Sequence, residues 1–101
     1  MNSTLEVNRI SICGSDDAVE AGYKIQLIIS PCTLSWESVE LIQQTDLAAE
    51  YPEYNISGPG CYIYCKAGYS IYCQNDYEPL AAKFVNWQER QQAKHLYFKA
   101  N

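Results

Sequence analysis

The segment from Cys61 to Cys73 constrains the fold most, because apolar and polar residues alternate on both sides of a glycine. Two runs with a period of two residues flank Lys66-Ala-Gly68: Cys-Tyr-Ile-Tyr-Cys at 61–65 and Tyr-Ser-Ile-Tyr-Cys at 69–73. Such alternation is typical of paired β-strands, and glycine readily adopts the positive φ that a short hairpin loop requires. The sequence therefore predicts a β-hairpin at residues 61–74, with the Cys-Ile-Cys positions on one face and tyrosines on the other.

The residues before this hairpin predict two further strands. Partial alternation over Thr4–Cys13 is typical of a half-buried strand, and the β-branched run at 23–29 is typical of another. A polar turn at 14–17 separates the two. Because proline cannot donate a backbone hydrogen bond, we expect Ser30-Pro31 to end the second strand.

Capping residues predict three helices. Ser35 is a favoured N-cap, and apolar residues at i, i+3 and i+6 after it predict a helix of about eight to ten residues. Thr45 is the expected cap of a short helix at 46–51. Asp76 is the expected cap of a C-terminal helix, and Pro79 suits its first turn because a missing N–H has no helical partner there.

These elements predict an α+β fold. We expect a single domain over residues 1–101, with the order β-β-α-β-β-α and a four-stranded, mainly antiparallel sheet. A length of 101 residues and a hydrophobic content of 48% fit one globular domain and argue against a disordered chain. No apolar run has the length of a membrane span, and the first residues lack a secretory pattern, so a cytoplasmic protein is expected.

Negative charge is concentrated in one part of the chain. The net charge of −5 disfavours direct binding to nucleic acid. Residues 25–65 hold five carboxylates and no lysine or arginine, namely Glu37, Glu40, Asp46, Glu50 and Glu53. On the predicted first helix and the turn after it, these acids would create a local negative field that suits a basic partner. A solvated acidic face that maintains solubility is the alternative.

Tyrosine is concentrated beside these acids. Seven of the nine tyrosines lie within residues 51–77. If the Cys-Ile-Cys face packs under a helix, the tyrosine face stays partly open, and tyrosine is enriched at protein interfaces. We therefore predict contact residues at Tyr54, Tyr62, Tyr64 and Tyr72. A two-sided core containing these rings is the alternative, and a nucleic-acid platform is disfavoured because Lys66 is the only basic residue of the hairpin.

The five cysteines are expected to be reduced and buried. The spacing of Cys61, Cys65 and Cys73 does not match common zinc motifs, since a strand would separate the first two by about 13 Å. A disulfide between Cys65 and Cys73 is left open. We expect His95, the single histidine, to be a packing or capping residue. No metal, cofactor or catalytic residue is predicted.

Together these features predict a small acidic protein that binds another macromolecule. A stoichiometric inhibitor of a protein with a basic, nucleic-acid-binding groove fits the size and charge, and toxin-immunity and anti-defence (anti-CRISPR-like) proteins have this physical character. No direct binding of nucleic acid or membrane is expected. A small cysteine-dependent enzyme or redox protein is one alternative, and a homodimeric structural module joined through the tyrosine face is another.

Overall fold

An antiparallel sheet covered on one face by a helix forms the fold. The computed structural model describes residues 3–13 and 26–100 and, within them, the side chains of residues 3–12 and 26–94. The strands are β1 (Thr4–Cys13), β2 (Gln26–Ser35), β3 (Val39–Asp46), β4 (Pro59–Cys65) and β5 (Ser70–Cys73). The helices are α1 (Leu47–Glu50), after β3, and α2 (Tyr77–Ala100), after β5.

The predicted α+β class with an antiparallel sheet is confirmed, but the predicted strand number and order are wrong. Within the described residues the sheet has five strands rather than four, in the spatial order β2-β1-β5-β4-β3. The fifth strand is β3, which occupies the residues where a helix was expected. Because β5 pairs with both β4 and β1, the predicted hairpin lies in the middle of the sheet.

The main core lies between the sheet and α2. On the strands, the side chains with at most 3% exposure in this core are Val7, Val39, Cys61, Ile63, Cys65 and Cys73. The helix contributes Leu80 and Phe84, and the ring of Trp36 stacks on Phe84 with a centroid distance of 5.8 Å. The hairpin prediction is confirmed, since Cys61 lies opposite Cys73 and Ile63 opposite Ile71 on the buried face.

The second strand continues through the proline that was expected to end it. β2 is an edge strand and extends to Ser35. The Trp36 N–H donates to the Ser3 carbonyl at 3.0 Å, and backbone groups alternate sides along a strand. The backbone N–H and C=O groups of even-numbered residues of β2 therefore point towards β1, whereas the backbone nitrogen of Pro31 points away from the sheet. The missing N–H costs no ladder bond there, which is why the edge tolerates proline.

The helix predicted after Ser35 is absent, and the described chain forms a strand there instead. Trp36–Ser38 makes one 3-10 turn, stabilised by a 2.7 Å bond from the Ser38 hydroxyl to the Ser35 carbonyl. β3 follows, with a β-bulge between Val39 and Leu41. The bulge places Val39 and Ile42 on the same buried face. An irregular strand thus reproduces the i, i+3 spacing that suggested a helix.

The short helix predicted at 46–51 exists as the single turn α1. Its cap is Asp46 rather than Thr45, since the Asp46 carboxylate accepts a 3.1 Å bond from the Ala48 N–H. Leu47 is fully buried. It packs over Gly60 on the sheet face opposite α2, at a distance that leaves no room for a side chain.

Gly60→Ala is expected to lower the free energy of unfolding by about 1–3 kcal/mol. An added Cβ would lie 2.5 Å from Leu47 Cγ and 3.1 Å from Thr45 Cγ2. Urea denaturation followed by circular dichroism measures this effect. In a Leu47→Ala background the same substitution should cost much less, because the opposing side chain is gone. An equal cost in both backgrounds would contradict the contact.

The C-terminal helix begins directly after Asp76 and holds Pro79 in its first turn, as predicted. Leu80 and Phe84 are buried and Trp87 is partly buried, so the predicted apolar face is confirmed over this stretch. None of the helices in the described part of the chain has the length and apolar character needed to cross a bilayer. The predicted turn at 14–17, the predicted strand start at 23–25 and the side chain of His95 lie outside the described residues.

Candidate functional site

A continuous group of aromatic rings covers the sheet face opposite α2. Four ring pairs connect Tyr54, Tyr51, Tyr72, Tyr62 and Tyr64, in that order, and we call these residues the tyrosine cluster. The shortest centroid distances are 4.3 Å between Tyr62 and Tyr72 and 4.5 Å between Tyr62 and Tyr64. Three of the pairs meet edge to face, the geometry that the quadrupoles of aromatic rings favour. Tyr62 is therefore the most closely contacted ring of the cluster.

Strand register and α1 together position the cluster. Tyr62 and Tyr72 lie directly opposite each other on β4 and β5, so their side chains share one face. Tyr51 is the residue that ends α1, and the buried Leu47 fixes that turn over the sheet. On β1, Ile10 lies opposite Tyr72 and is only 5% exposed. The aromatic face thus continues onto the next strand as an apolar surface.

Hydrogen bonds fix the phenol groups of two rings. The Tyr72 hydroxyl donates to Glu50 Oε2 at 3.0 Å, and the Tyr62 hydroxyl bonds to the Ser70 hydroxyl. Burial, followed by the bond to Glu50 and its charge, raises the pKa of Tyr72 to about 12. Burial is also the main cause of the raised pKa of Tyr51. At neutral pH Tyr72 is therefore a protonated donor that joins an acid to the aromatic surface.

Glu50→Gln is expected to lower the pKa of Tyr72 from about 12 towards 10, because it removes a negative charge from beside the phenol. NMR titration of 13Cζ-labelled tyrosine at about pH 11 measures this, since only about a tenth of Tyr72 should be ionised there in the unchanged protein. The raised pKa stabilises the fold below pH 10, and this stabilisation is lost as the pH rises towards 12. Glu53→Gln is the matched control. An unchanged Tyr72 titration in Glu50→Gln would contradict the contact.

A small polar cavity lies between the cluster and the outer strand. Its volume is about 310 Å³, and it is lined by Gln43, Gln44, Thr45, Glu50, Tyr62, Tyr64 and Tyr72. Amide, hydroxyl and carboxylate groups dominate this lining, whereas cofactor sites are mainly apolar. The lining can therefore form hydrogen bonds with a polar group that enters the cavity.

The predicted acids do not form one surface. Without the expected helix they fall into two exposed groups at opposite ends of β3: Glu37 with Glu40, and Asp46 with Glu50 and Glu53. A strand rises about 3.3 Å per residue, so the groups lie roughly 20 Å apart. Asp46 also serves as the cap of α1. Glu50 joins the tyrosine cluster through its bond to Tyr72.

All four predicted tyrosines belong to the cluster, and the structure adds two residues to the predicted site. Tyr51 contacts the rings of both Tyr54 and Tyr72. Leu41 lies opposite Tyr64 and is 44% exposed. The position of Tyr51 at the end of a predicted helix, directly after Glu50, was a usable signal. Leu41 gave none, because its exposure depends on the unexpected strand.

The four cysteines whose side chains the structure describes belong to the core or pack against it, and the side chain of Cys13 lies outside the described residues. Cys32, Cys61, Cys65 and Cys73 are free thiols, so the disulfide left open between Cys65 and Cys73 is not formed. Burial raises the pKa of Cys61 to about 11 and that of Cys73 to about 12. Both are protonated at neutral pH, whereas a nucleophilic cysteine needs a lowered pKa. Within the described residues, no three His, Cys, Asp or Glu side chains are grouped to hold a metal.

A larger cavity of about 690 Å³ has a different chemical character. It lies between the β1–β2 pair and α2, and its lining includes Lys83, Asn86 and Arg90 from the helix and Glu6 from β1. Among the residues that the structure describes, the buried Nε of Arg90 has no hydrogen-bond partner. This cavity therefore combines both signs of charge, whereas the charged side chains around β3 and the tyrosine cluster are mainly acidic.

Comparison of the chain with protein-family models, with curated proteins and with solved structures finds no match. The function is therefore argued from the chemistry of the tyrosine cluster and the acids beside it.

Proposed function

We propose that this is a cytoplasmic binding protein whose tyrosine cluster docks on the basic surface of a partner protein. The contact between Tyr72 and Glu50 carries the proposal, because it joins the aromatic surface to a carboxylate. An inhibitor that occupies a basic, nucleic-acid-binding groove is the role that matches this chemistry, as in toxin-immunity or anti-defence proteins. Such an inhibitor presents negative charge where the groove would otherwise hold phosphates.

The rigidity of the cluster supports a binding role. Each ring contacts at least one other ring, and two hydroxyls are held by hydrogen bonds. Side chains that are already ordered lose little conformational entropy on binding. Tyrosine also combines a large apolar area with a polar end, which makes it a frequent hot-spot residue. The rings of the cluster are thus already ordered in the unbound protein.

Charge reversal at the two acidic groups tests the proposal. We make two double variants. One carries Glu37→Lys and Glu40→Lys together, and the other carries Glu50→Lys and Glu53→Lys together. The matched control reverses Glu78 and Glu89 on α2, both exposed. Each double variant raises the net charge by the same amount, from −5 to −1. Differences among the three variants therefore report the place of the charge rather than its total.

The variants and the unchanged protein serve as baits in cells of the organism that encodes the chain, and captured proteins are identified by mass spectrometry. We expect the unchanged protein and the control to capture the same basic protein, and reversal beside the cluster to weaken its binding at least about 10-fold at low salt. Added DNA or RNA should compete. Equal binding by all three variants, or a captured protein without a basic surface, would contradict the proposal.

A further inference from the structure

The two edges of the sheet differ in what they offer to another strand. The Cys65 N–H donates to the Tyr69 carbonyl at 2.9 Å, and the Lys66 N–H donates to the Ser38 carbonyl at 2.8 Å. Backbone groups alternate sides along a strand. The N–H and C=O groups of odd-numbered residues of β4 therefore point towards β5, and those of even-numbered residues point towards β3. Gln43 lies opposite Tyr62 in this register. It follows that the backbone N–H and C=O groups of Gln43 point towards β4.

The same alternation leaves the next backbone groups of β3 directed away from the sheet. The N–H and C=O groups of Ile42 and Gln44 point outwards, and no proline occurs between Val39 and Asp46. On the other edge, Pro31 occupies an outward-facing position of β2. Natural sheets protect edges with proline, charged residues or β-bulges. The bulge of β3 lies at its start and the register is regular beyond it, so the rest of the strand can accept a further strand. β3 is the edge with that capacity.

We propose that β3 binds an extended, basic segment of the partner protein as an additional strand of the sheet. This inference rests on the proposed function, since it takes the basic character of the partner from there and specifies the form in which the partner binds. Backbone hydrogen bonds to Ile42 and Gln44 would provide affinity. Alternate side chains of the added strand would provide specificity.

Charge selects a basic segment over a second copy of this chain. β3 carries Glu40 and Asp46, its flanks carry Glu37 and Glu50, and residues 25–65 contain no lysine or arginine. Pairing two β3 strands would bring these acids together without compensation, and like charges on neighbouring strands are destabilising. A segment with lysine or arginine near both ends would instead meet an acidic group at each end of β3.

The cavity beside the edge supports the same geometry. Gln43, Gln44 and Thr45 form its wall on β3, and Tyr62 and Tyr64 form its wall on β4. Side chains of an added strand that point to the tyrosine face would enter it or pack beside Leu41. The cavity thus lies where a pocket for alternate side chains of the added strand is needed.

A synthetic peptide tests the inference without the natural partner. The probe is an acetylated and amidated peptide of about ten residues in which lysine or arginine alternates with valine or threonine. A peptide with glutamate at every basic position is its control. Binding is measured by fluorescence anisotropy, and amide hydrogen exchange by NMR. We expect the basic peptide to bind at least about 10-fold more tightly than the acidic one and to protect the amides of Ile42 and Gln44.

Proline substitution on each edge completes the test. Gln44→Pro removes an outward N–H that the ladder with β4 does not use, and Thr33→Pro makes the matched change at an outward position of β2. We expect Gln44→Pro to weaken peptide binding at least about 10-fold and Thr33→Pro to leave it unchanged. Hydrogen exchange on the unchanged protein gives an independent readout if Gln44→Pro does not fold.

Several outcomes would overturn the inference. The basic peptide could fail to bind, could bind without protecting Ile42 and Gln44, or could bind Gln44→Pro as tightly as the unchanged protein. Protection of these amides that rises with protein concentration in the absence of peptide would replace the basic segment by a second copy. If partner capture still depends on Glu50 and Glu53 in any of these cases, strand addition fails and the proposed function stands.

Discussion

Tyr62→Ala is expected to weaken binding of the captured basic partner by about 2 kcal/mol or more, which is roughly 30-fold. The ring centroid of Tyr62 lies 4.5 Å from that of Tyr64 and 4.3 Å from that of Tyr72. Its removal would delete contact area within the cluster and leave Tyr64 without its ring contact, whereas Tyr72 would keep its contact with Tyr51. Residues at the centre of an interface contribute most to affinity when surrounding residues exclude water from them. Titration calorimetry with the purified partner measures the effect.

Tyr69→Ala is the matched control for this experiment. Tyr69 is 49% exposed in the hairpin loop and makes none of the ring contacts of the tyrosine cluster. We expect its removal to change affinity by less than about 0.5 kcal/mol. Unfolding curves of both variants would separate lost contact from lost structure. Equal losses of affinity in the two variants would show that exposed aromatic area, rather than the cluster, determines binding.

Ile63→Ala is expected to lower the free energy of unfolding by about 2–5 kcal/mol. Ile63 has 0% exposure and lies on β4, opposite Ile42 on one side and Ile71 on the other. Truncation would leave a cavity in the middle of the sheet, where three strands hold the surrounding side chains in place. A domain of this size is stable by only about 5–15 kcal/mol. Urea denaturation measures the change.

Two further variants calibrate the result. Ile63→Val should cost about 0.5–1.5 kcal/mol, since it removes a single methylene. Val85→Ala on α2 removes a side chain that is 48% exposed, and we expect a change within about 0.5 kcal/mol. A loss below 1 kcal/mol for Ile63→Ala would mean that the core around β4 can collapse into the space. That outcome would contradict the tight packing described for the sheet.

The hairpin was predictable because its signals are local. Alternation, the glycine of its loop and the lengths of its two runs all lie within a short segment, and each favours the same structure. The division into a buried Cys-Ile-Cys face and an open tyrosine face follows from period-two geometry alone. For the same reason Tyr62, Tyr64 and Tyr72 lie together in the structure, whereas Tyr54 joins them through its contact with Tyr51.

β3 could not be predicted in this way, because a bulge alters the period of its buried residues. Val39 and Ile42 are three residues apart, which places them on opposite faces of a regular strand and on the same face of a helix. The bulge before Leu41 brings both to the core. Pairing with β4 stabilises the strand, and that contact between distant residues leaves no mark in the local sequence. The expectation that Glu37 and Glu40 lie on a helix was wrong for the same reason.

The order of the strands depends on contacts that are equally distant in sequence. β1 pairs with β5 only through Arg9 opposite Cys73 and Ile10 opposite Tyr72. Beyond them, the side chain of Asn75 accepts a 2.8 Å bond from the Asn8 N–H and extends the pairing. Tertiary packing selects such a junction, and propensity does not encode it. The central position of β5 was therefore outside the reach of local patterns.

The proline in β2 limits the size of any assembly made by strand addition. A sheet with two accessible edges can use one edge to join the preceding molecule and the other to join the next, and such head-to-tail contacts lead to open fibres. Pro31 removes one of these two attachment points, whereas β3 retains the other. Under the strand-addition proposal, each molecule then engages one strand and no more. We therefore expect closed one-to-one complexes with a partner and no filaments, even at high protein concentration.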